Sequence, residues 1–131
     1  MIDHLSTYTV AFEKAQAFYD RTMAALGYER TASLVATWDA EFPNRRMCAY
    51  GPTGKRIVWL IEVKEKPSPR HVAFVAPSRK HVQAFFDTAL QAGGVDNGGP
   101  GVREQYHPTY FGAFVLDPDG NNVEAVTHGK D

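Results

Sequence analysis

Two stretches decide how this chain folds: His4–Asp20, HLSTYTVAFEKAQAFYD, and His71–Asp87, HVAFVAPSRKHVQAFFD. Each opens on a histidine, passes through a β-branched and aromatic segment, and reaches Gln-Ala-Phe-aromatic-Asp after the same interval. The offset between them is 67 positions, from 4 to 71, and it also carries Gly27 onto Gly94. Self-similarity over about half a chain marks a duplicated supersecondary unit, and it constrains the fold more than any single motif does.

Within each copy the hydrophobic period changes in the same order. HLSTYTV and HVAFVA read as short strands, whereas Phe12, Ala15, Phe18, Tyr19, Met23 and Leu26 recur at helical spacing, as do Val82, Phe85, Phe86, Ala89 and Leu90. Ser78 is placed to cap the second helix, and Gly27 and Gly94 stand where the helices end. After the first helix come the strand-like YERTASLVATW, RRMCAYG and RIVWLIEV, separated by Pro43-Asn44 and by Gly51-Pro52-Thr53-Gly54. After the second come the glycine-rich GGVDNGGPG and then REQYHPTYF, GAFVLD and NNVEAVT. The expected fold is α+β, with two βαβββ modules, about 1–66 and about 67–131, joined at KEKPSPR within one domain.

Composition narrows the function classes. A chain of 131 residues with 44% hydrophobic and 22% charged residues has the make-up of one globular domain. No run approaches the roughly 18 apolar residues of a membrane span, and MIDHLSTYTV lacks the layout of a secretory signal, so a soluble cytoplasmic protein is expected. A net charge of −1 gives no general attraction to nucleic acid or to a membrane surface, which leaves a small-molecule partner as the default. The single Cys48 excludes an internal disulfide and a cysteine-rich zinc cluster, so a metal here needs His, Asp or Glu donors.

Side chains alternate between the two faces of a strand, and the alternation groups the candidate donors. Ile2, His4, Ser6 and Tyr8 share one face; so do His71, Ala73 and Val75, and so do Asn122, Glu124 and Val126. Each of His4, His71 and Glu124 falls on the less apolar face. Asp117-Pro118-Asp119-Gly120 is a reverse turn that returns the chain to present Glu124. If the pseudo-two-fold brings the equivalent strands together, two imidazoles and a carboxylate form a 2-His-1-carboxylate site suited to a divalent metal with open positions.

His4 followed by QAFY, the mid-chain HVAF and the terminal DPDGNNVE together resemble the vicinal oxygen chelate superfamily, which includes glyoxalase I, extradiol dioxygenases and the fosfomycin and bleomycin resistance proteins. The resemblance implies an open barrel-like cleft made of paired βαβββ modules, with His4, His71 and Glu124 as ligands of a divalent metal (Zn, Fe, Mn or Ni), and a homodimer. It places a fourth ligand near Val58-Trp59, where only Glu62 could serve. The C-terminal stretch is similar to the extradiol dioxygenase signature, with His107 at its histidine position and Phe114 where a tyrosine belongs. His107 and Tyr110 are the candidate catalytic residues.

Two functions follow as expectations. One is a metal-dependent isomerase, lyase or dioxygenase acting on a small molecule with vicinal oxygens. The other is a metal-free module that sequesters a drug or other small molecule against Trp38, Trp59, Phe111 and Tyr110. His81 is expected at the surface, and His128 in a mobile tail.

Overall fold

The computed structural model describes residues 1–131. The first half runs β1 (Leu5–Thr9), α1 (Phe12–Ala25), β2 (Glu29–Val35), β3 (Arg46–Gly51) and β4 (Val58–Glu62). The second runs β5 (His71–Val75), α2 (Arg79–Gln91), the two-residue strands β6 (Val95–Asp96) and β7 (Gly101–Val102), then β8 (Phe111–Leu116) and β9 (Asn122–Thr127). One sheet has the order β1-β4-β3-β2 and the other β5-β9-β8-β6, with β7 also paired to β8. In both, the first and last strands of the module lie parallel at one end. This is the expected α+β duplication; the sheets do not close into a barrel. No helix is long and apolar enough to cross a membrane.

Each helix exists because its apolar stripe has a sheet to cover. α1 buries Phe12, Ala15, Phe18, Tyr19 and Met23, and α2 buries Val82, Phe85, Phe86 and Ala89. The helices also pack on each other, and one cluster of 20 buried residues draws on both modules. Ser78 caps α2 as expected, its side chain accepting from the His81 amide. The repeated glycine has split its task. Gly27 ends α1 with φ 86°, but after α2 the left-handed residue is Gly93, with φ 93°. Gly94 instead admits a close approach: a Cβ there would stand 2.9 Å from Phe18 Cε2 of the other module.

Two expectations of local structure are corrected. REQYHPTYF does not form a strand up to Phe111. Residues 103–110 instead make successive turns in which His107 N donates to Arg103 O and Tyr110 N to His107 O, at 3.2 and 3.1 Å. Pro108 has no N–H to give a sheet ladder, and the turns satisfy its neighbours instead. The C-terminal tail is docked rather than loose, because Arg79 N donates to Asp131 O and Thr109 Oγ1 to His128 O, at 2.6 and 2.7 Å.

The Asp-Pro-Asp-Gly turn does more than reverse the chain. Asp117 Oδ1 accepts from the amides of Asp119 and Asn121, and Oδ2 accepts from Asn121 Nδ2 and, at 2.5 Å, from Tyr19 Oη of α1. Asp119 Oδ1 accepts from Val10 N, just after β1, at 3.1 Å. The turn before Glu124 is therefore anchored to the first module. Burial, and then Asp117, hold the Tyr19 phenol well above its ordinary pKa. Tyr19→Phe should cost about 1–3 kcal/mol, because a buried carboxylate oxygen loses one of its two donors, and Asp117→Ala should cost more, because four donors lose their acceptor. Urea unfolding checks the order; equal midpoints for Tyr19→Phe and the parent chain would contradict it.

Candidate functional site

Register places one polar group at the centre of the outer face of the second sheet. Ala73 pairs with Glu124 and Phe114 with Glu124, so Glu124 stands in the middle of a row on β5-β9-β8, away from α2. His71 pairs with Asn122 in the adjacent row. Glu124 is only 1% exposed, and a buried carboxylate needs donors. It has two. His71 Nε2 lies 2.9 Å from Oε1, and the Tyr110 hydroxyl donates to Oε2. Gly112 makes the second bond possible, because a Cβ there would come within 3.1 Å of Oε2 and 3.2 Å of Tyr110 Cε1.

The three side chains differ in access. The His71 side chain is 52% exposed, so the centre is open to solvent through its imidazole. Its ring lies 6.2 Å from that of Phe114. Tyr110 stands edge-on to Tyr106 and His128, with centroids 5.1 and 5.2 Å away. Loss of solvation, and then the Glu124 carboxylate, push the Tyr110 phenol up to about 12.

His4 is not part of this group. It lies one residue before β1, its side chain is 53% exposed, and its Nδ1 sits 2.6 Å from Asp3 Oδ1. Register gives a reason. Ala73 is the repeat equivalent of Ser6, and where Ala73 pairs with Glu124, Ser6 pairs with Trp59. The first module thus carries an indole at the position of the second module's carboxylate, and nothing on its own sheet draws His4 inward. Glu62 is turned the other way, on the face of the buried Val58 and Leu60, and its two oxygens are held by Arg46. That bond lowers the Glu62 pKa. It cannot serve as the fourth donor without giving up Arg46.

His107 stands apart from Glu124 as well. Its Nδ1 accepts from Thr109 N, and its ring lies 6.1 Å from His128, which in turn packs on Tyr110. His128 is the residue that sequence reading misplaced. Continuing the alternation from Glu124 through Val126 would have put it on the same face. The four aromatic residues expected to line one cleft are dispersed: Trp38 is exposed after β2, Trp59 is on the first sheet, and Phe111 lies under Arg79 of α2. Only Tyr110 is at the centre.

As a metal site the chain is incomplete. No group of three or more His, Cys, Asp or Glu side chains is arranged to hold an ion. His71 and Glu124 are two suitable donors that satisfy each other by hydrogen bonding, and within one chain the set does not fit a metal.

Residues 1–125 match the family described as the Glyoxalase/Bleomycin resistance protein/Dioxygenase superfamily. The chain belongs to that superfamily. No curated protein matches its sequence. Solved structures share the fold at low identity. A glyoxalase/bleomycin resistance protein from Albidiferax ferrireducens T118 superposes with a TM-score of 0.74 at 20% identity, covering 96% of this chain and 97% of that one. A putative glyoxalase from Bacillus halodurans gives 0.64 at 21% identity, with 96% and 94% covered. A point mutant of the genomically encoded fosfomycin resistance protein FosX from Listeria monocytogenes, complexed with Mn(II) and 1S,2S-dihydroxypropylphosphonic acid, gives 0.68 at 16%, with 99% and 93% covered.

In this member of the glyoxalase superfamily the coupling of Tyr110 to Glu124 has a consequence for stability. The phenol is raised from its ordinary 10.0 to about 12, so the folded chain keeps a proton that the unfolded chain releases. Its contribution is fully present below pH 10 and is lost as pH rises through about 12. Tyr110→Phe should flatten that part of the alkaline decline in urea midpoint. Tyr19 and Tyr50, also raised by burial, will sustain the remainder. An unchanged slope in the variant would contradict the assignment.

Proposed function

We propose that the protein acts on a small molecule with neighbouring oxygen atoms, held over the outer face of the second sheet at His71, Glu124 and Tyr110. The single observation that carries this reading is the 2.9 Å contact between a half-exposed imidazole and a carboxylate 1% exposed. Burying a carboxylate with a polar partner is weak support for stability, since apolar residues of similar volume do as well. An accessible histidine held by a buried carboxylate is instead the arrangement of a general base and the group that orients it.

In this reading His71 keeps its Nε2 on Glu124 and exchanges a proton with the bound molecule at Nδ1, which makes no hydrogen bond within the chain. Tyr110 occupies the other carboxylate oxygen and stops it from rotating away. His107, which reaches Tyr110 only through the ring of His128, supports the rim and does not move the ligand's proton.

A second reading, a metal-dependent enzyme, is favoured by the same contact. His71 and Glu124, an imidazole and a carboxylate whose Nε2 and Oε1 lie 2.9 Å apart, are donor types that would hold a divalent ion. The missing donor is then His4 of a second copy in a homodimer. Ile2, two residues before His4, and Val75, at the far end of β5 from His71, are 74% and 69% exposed and offer apolar surface to such a copy. An ion held by these residues would supply Lewis acidity to a bound oxygen atom.

A titration of isotope-labelled protein with vicinal diols, hydroxyketones and catechols, read by amide NMR, tests the site. Shifts should concentrate at His71, Tyr110, Gly112 and Glu124 and disappear in Glu124→Gln. Shifts confined to the apolar cavity between Leu5 and Val72 would refute the site. Added Mn(II) should broaden the same resonances, and the effect should need His4 as well as His71 and Glu124. Broadening that survives His4→Ala removes the second copy from the site.

A further inference from the structure

The glycine-rich segment after α2 has no strand-to-helix context for a nucleotide phosphate, yet it cradles a cation. Arg103 lies with its guanidinium carbon 5.4 Å from the centroid of Phe114, and Nη2 donates to Gly99 O at 2.7 Å. Two glycines leave room for it. A Cβ on Gly101 would meet Nη1 at 3.0 Å, and one on Gly98 would meet Phe114 Cδ2 at 3.2 Å and Nη2 at 3.4 Å; Gly98 also has φ +138°.

The cation so held is uncompensated. Arg30, Arg45 and Arg46 each pair with an acid, at Asp20, Asp39 and Glu62, whereas no carboxylate lies within 4.0 Å of Arg103. Of five guanidinium N–H groups, one is bonded within the chain. Arg103 is also one of the residues lining a cavity of about 310 Å³, with Asn97, Gly98, Tyr106, Phe114 and Asn122. Asn122 Oδ1 accepts from Asn97 Nδ2, which leaves the Asn122 amide N–H groups unused.

The position matters as much as the charge. Phe114 neighbours both Arg103 and His71, so the guanidinium carbon and the imidazole centroid are no further apart than the sum of 5.4 and 6.2 Å. One small molecule spans that interval. A stacked, planar donor fork loses little freedom when it binds a carboxylate or phosphate with two N–H groups.

We infer that Arg103, with Asn122, is the specificity-determining subsite for an oxyanion, a carboxylate or a phosphate, on the molecule whose reactive part lies at His71 and Glu124. The inference rests on the site proposed above, but its residues are separate from that centre. It gives the small molecule with neighbouring oxygens an anionic group as well, for which simple diols stand in at the reactive end and phosphate or acetate at the other.

The test is an amide NMR titration with inorganic phosphate and with acetate, against sodium chloride at matched ionic strength. Shifts at Gly98, Gly101, Arg103, Phe114 and Asn122 are expected, weakened at least roughly tenfold in Arg103→Gln, partly restored in Arg103→Lys, and unchanged in His71→Ala. Thermal unfolding confirms that Arg103→Gln stays folded. A purely structural Arg103 would alter that unfolding and leave anion binding alone. Phosphate shifts that persist in Arg103→Gln, that fall only around Lys55 and Arg56, or that do not exceed the chloride control would overturn the inference. Phosphate binding at Arg103 without any effect of diols at His71 would leave the subsite standing and remove the reactive centre.

Discussion

A carboxylate buried in a β-sheet has to be surrounded by donors, and Glu124 sets that demand for the outer face of the second module. Its two neighbours in the row, Ala73 and Phe114, have nothing to donate, so the bonds come from the next row and from outside the sheet. His71 and Tyr110 supply them. Gly112 is small because Tyr110 has to pass over it, and the turns at residues 103–110 deliver Tyr110 to that position. Much of the local structure of β8 and its approach can be traced to satisfying one acidic group.

The same demand explains why duplicated modules are not equivalent in chemistry. Both have the sheet order in which the first strand lies parallel to the last, and both contribute to one core. Only the second has an acid at the third position of its opening strand's register, Glu124 opposite Ala73; the first has Trp59 opposite Ser6, and its own acid, Glu62, lies at the far end opposite Thr9. His71 is drawn onto its sheet and His4 is left beside Asp3. What joins the modules is a different set of polar contacts, Tyr19 to Asp117 and Val10 to Asp119, so the turn that precedes Glu124 is fixed by α1 and the end of β1.

The fold was legible where period and repetition agreed. The 67-residue offset in HLSTYTV…QAFYD and HVAFVA…QAFFD carried the element order, and the parity of Asn122, Glu124 and Val126 placed the carboxylate on the face away from the helix. The sequence led to an expected convergence of His4 with His71 that this chain does not make, because equivalence in a repeat fixes position within a module and not distance between modules. Tyr110 was legible as a candidate site residue but its bond to Glu124 was not, since that partner lies 14 residues on and the path depends on a glycine at 112. Arg103 sat inside a segment that read as a strand, and only the turns there show that its side chain turns back over Phe114.

The most direct test is the protonation pattern of the His71 ring, read by long-range proton–nitrogen NMR near neutral pH. An ionised Glu124 that already accepts from Tyr110 requires a proton on Nε2 of His71, leaving Nδ1 bare for a ligand. The account predicts the Nε2–H form in the parent chain and its loss of preference in Glu124→Gln. A ring with its proton on Nδ1, or one indifferent to that substitution, would contradict it.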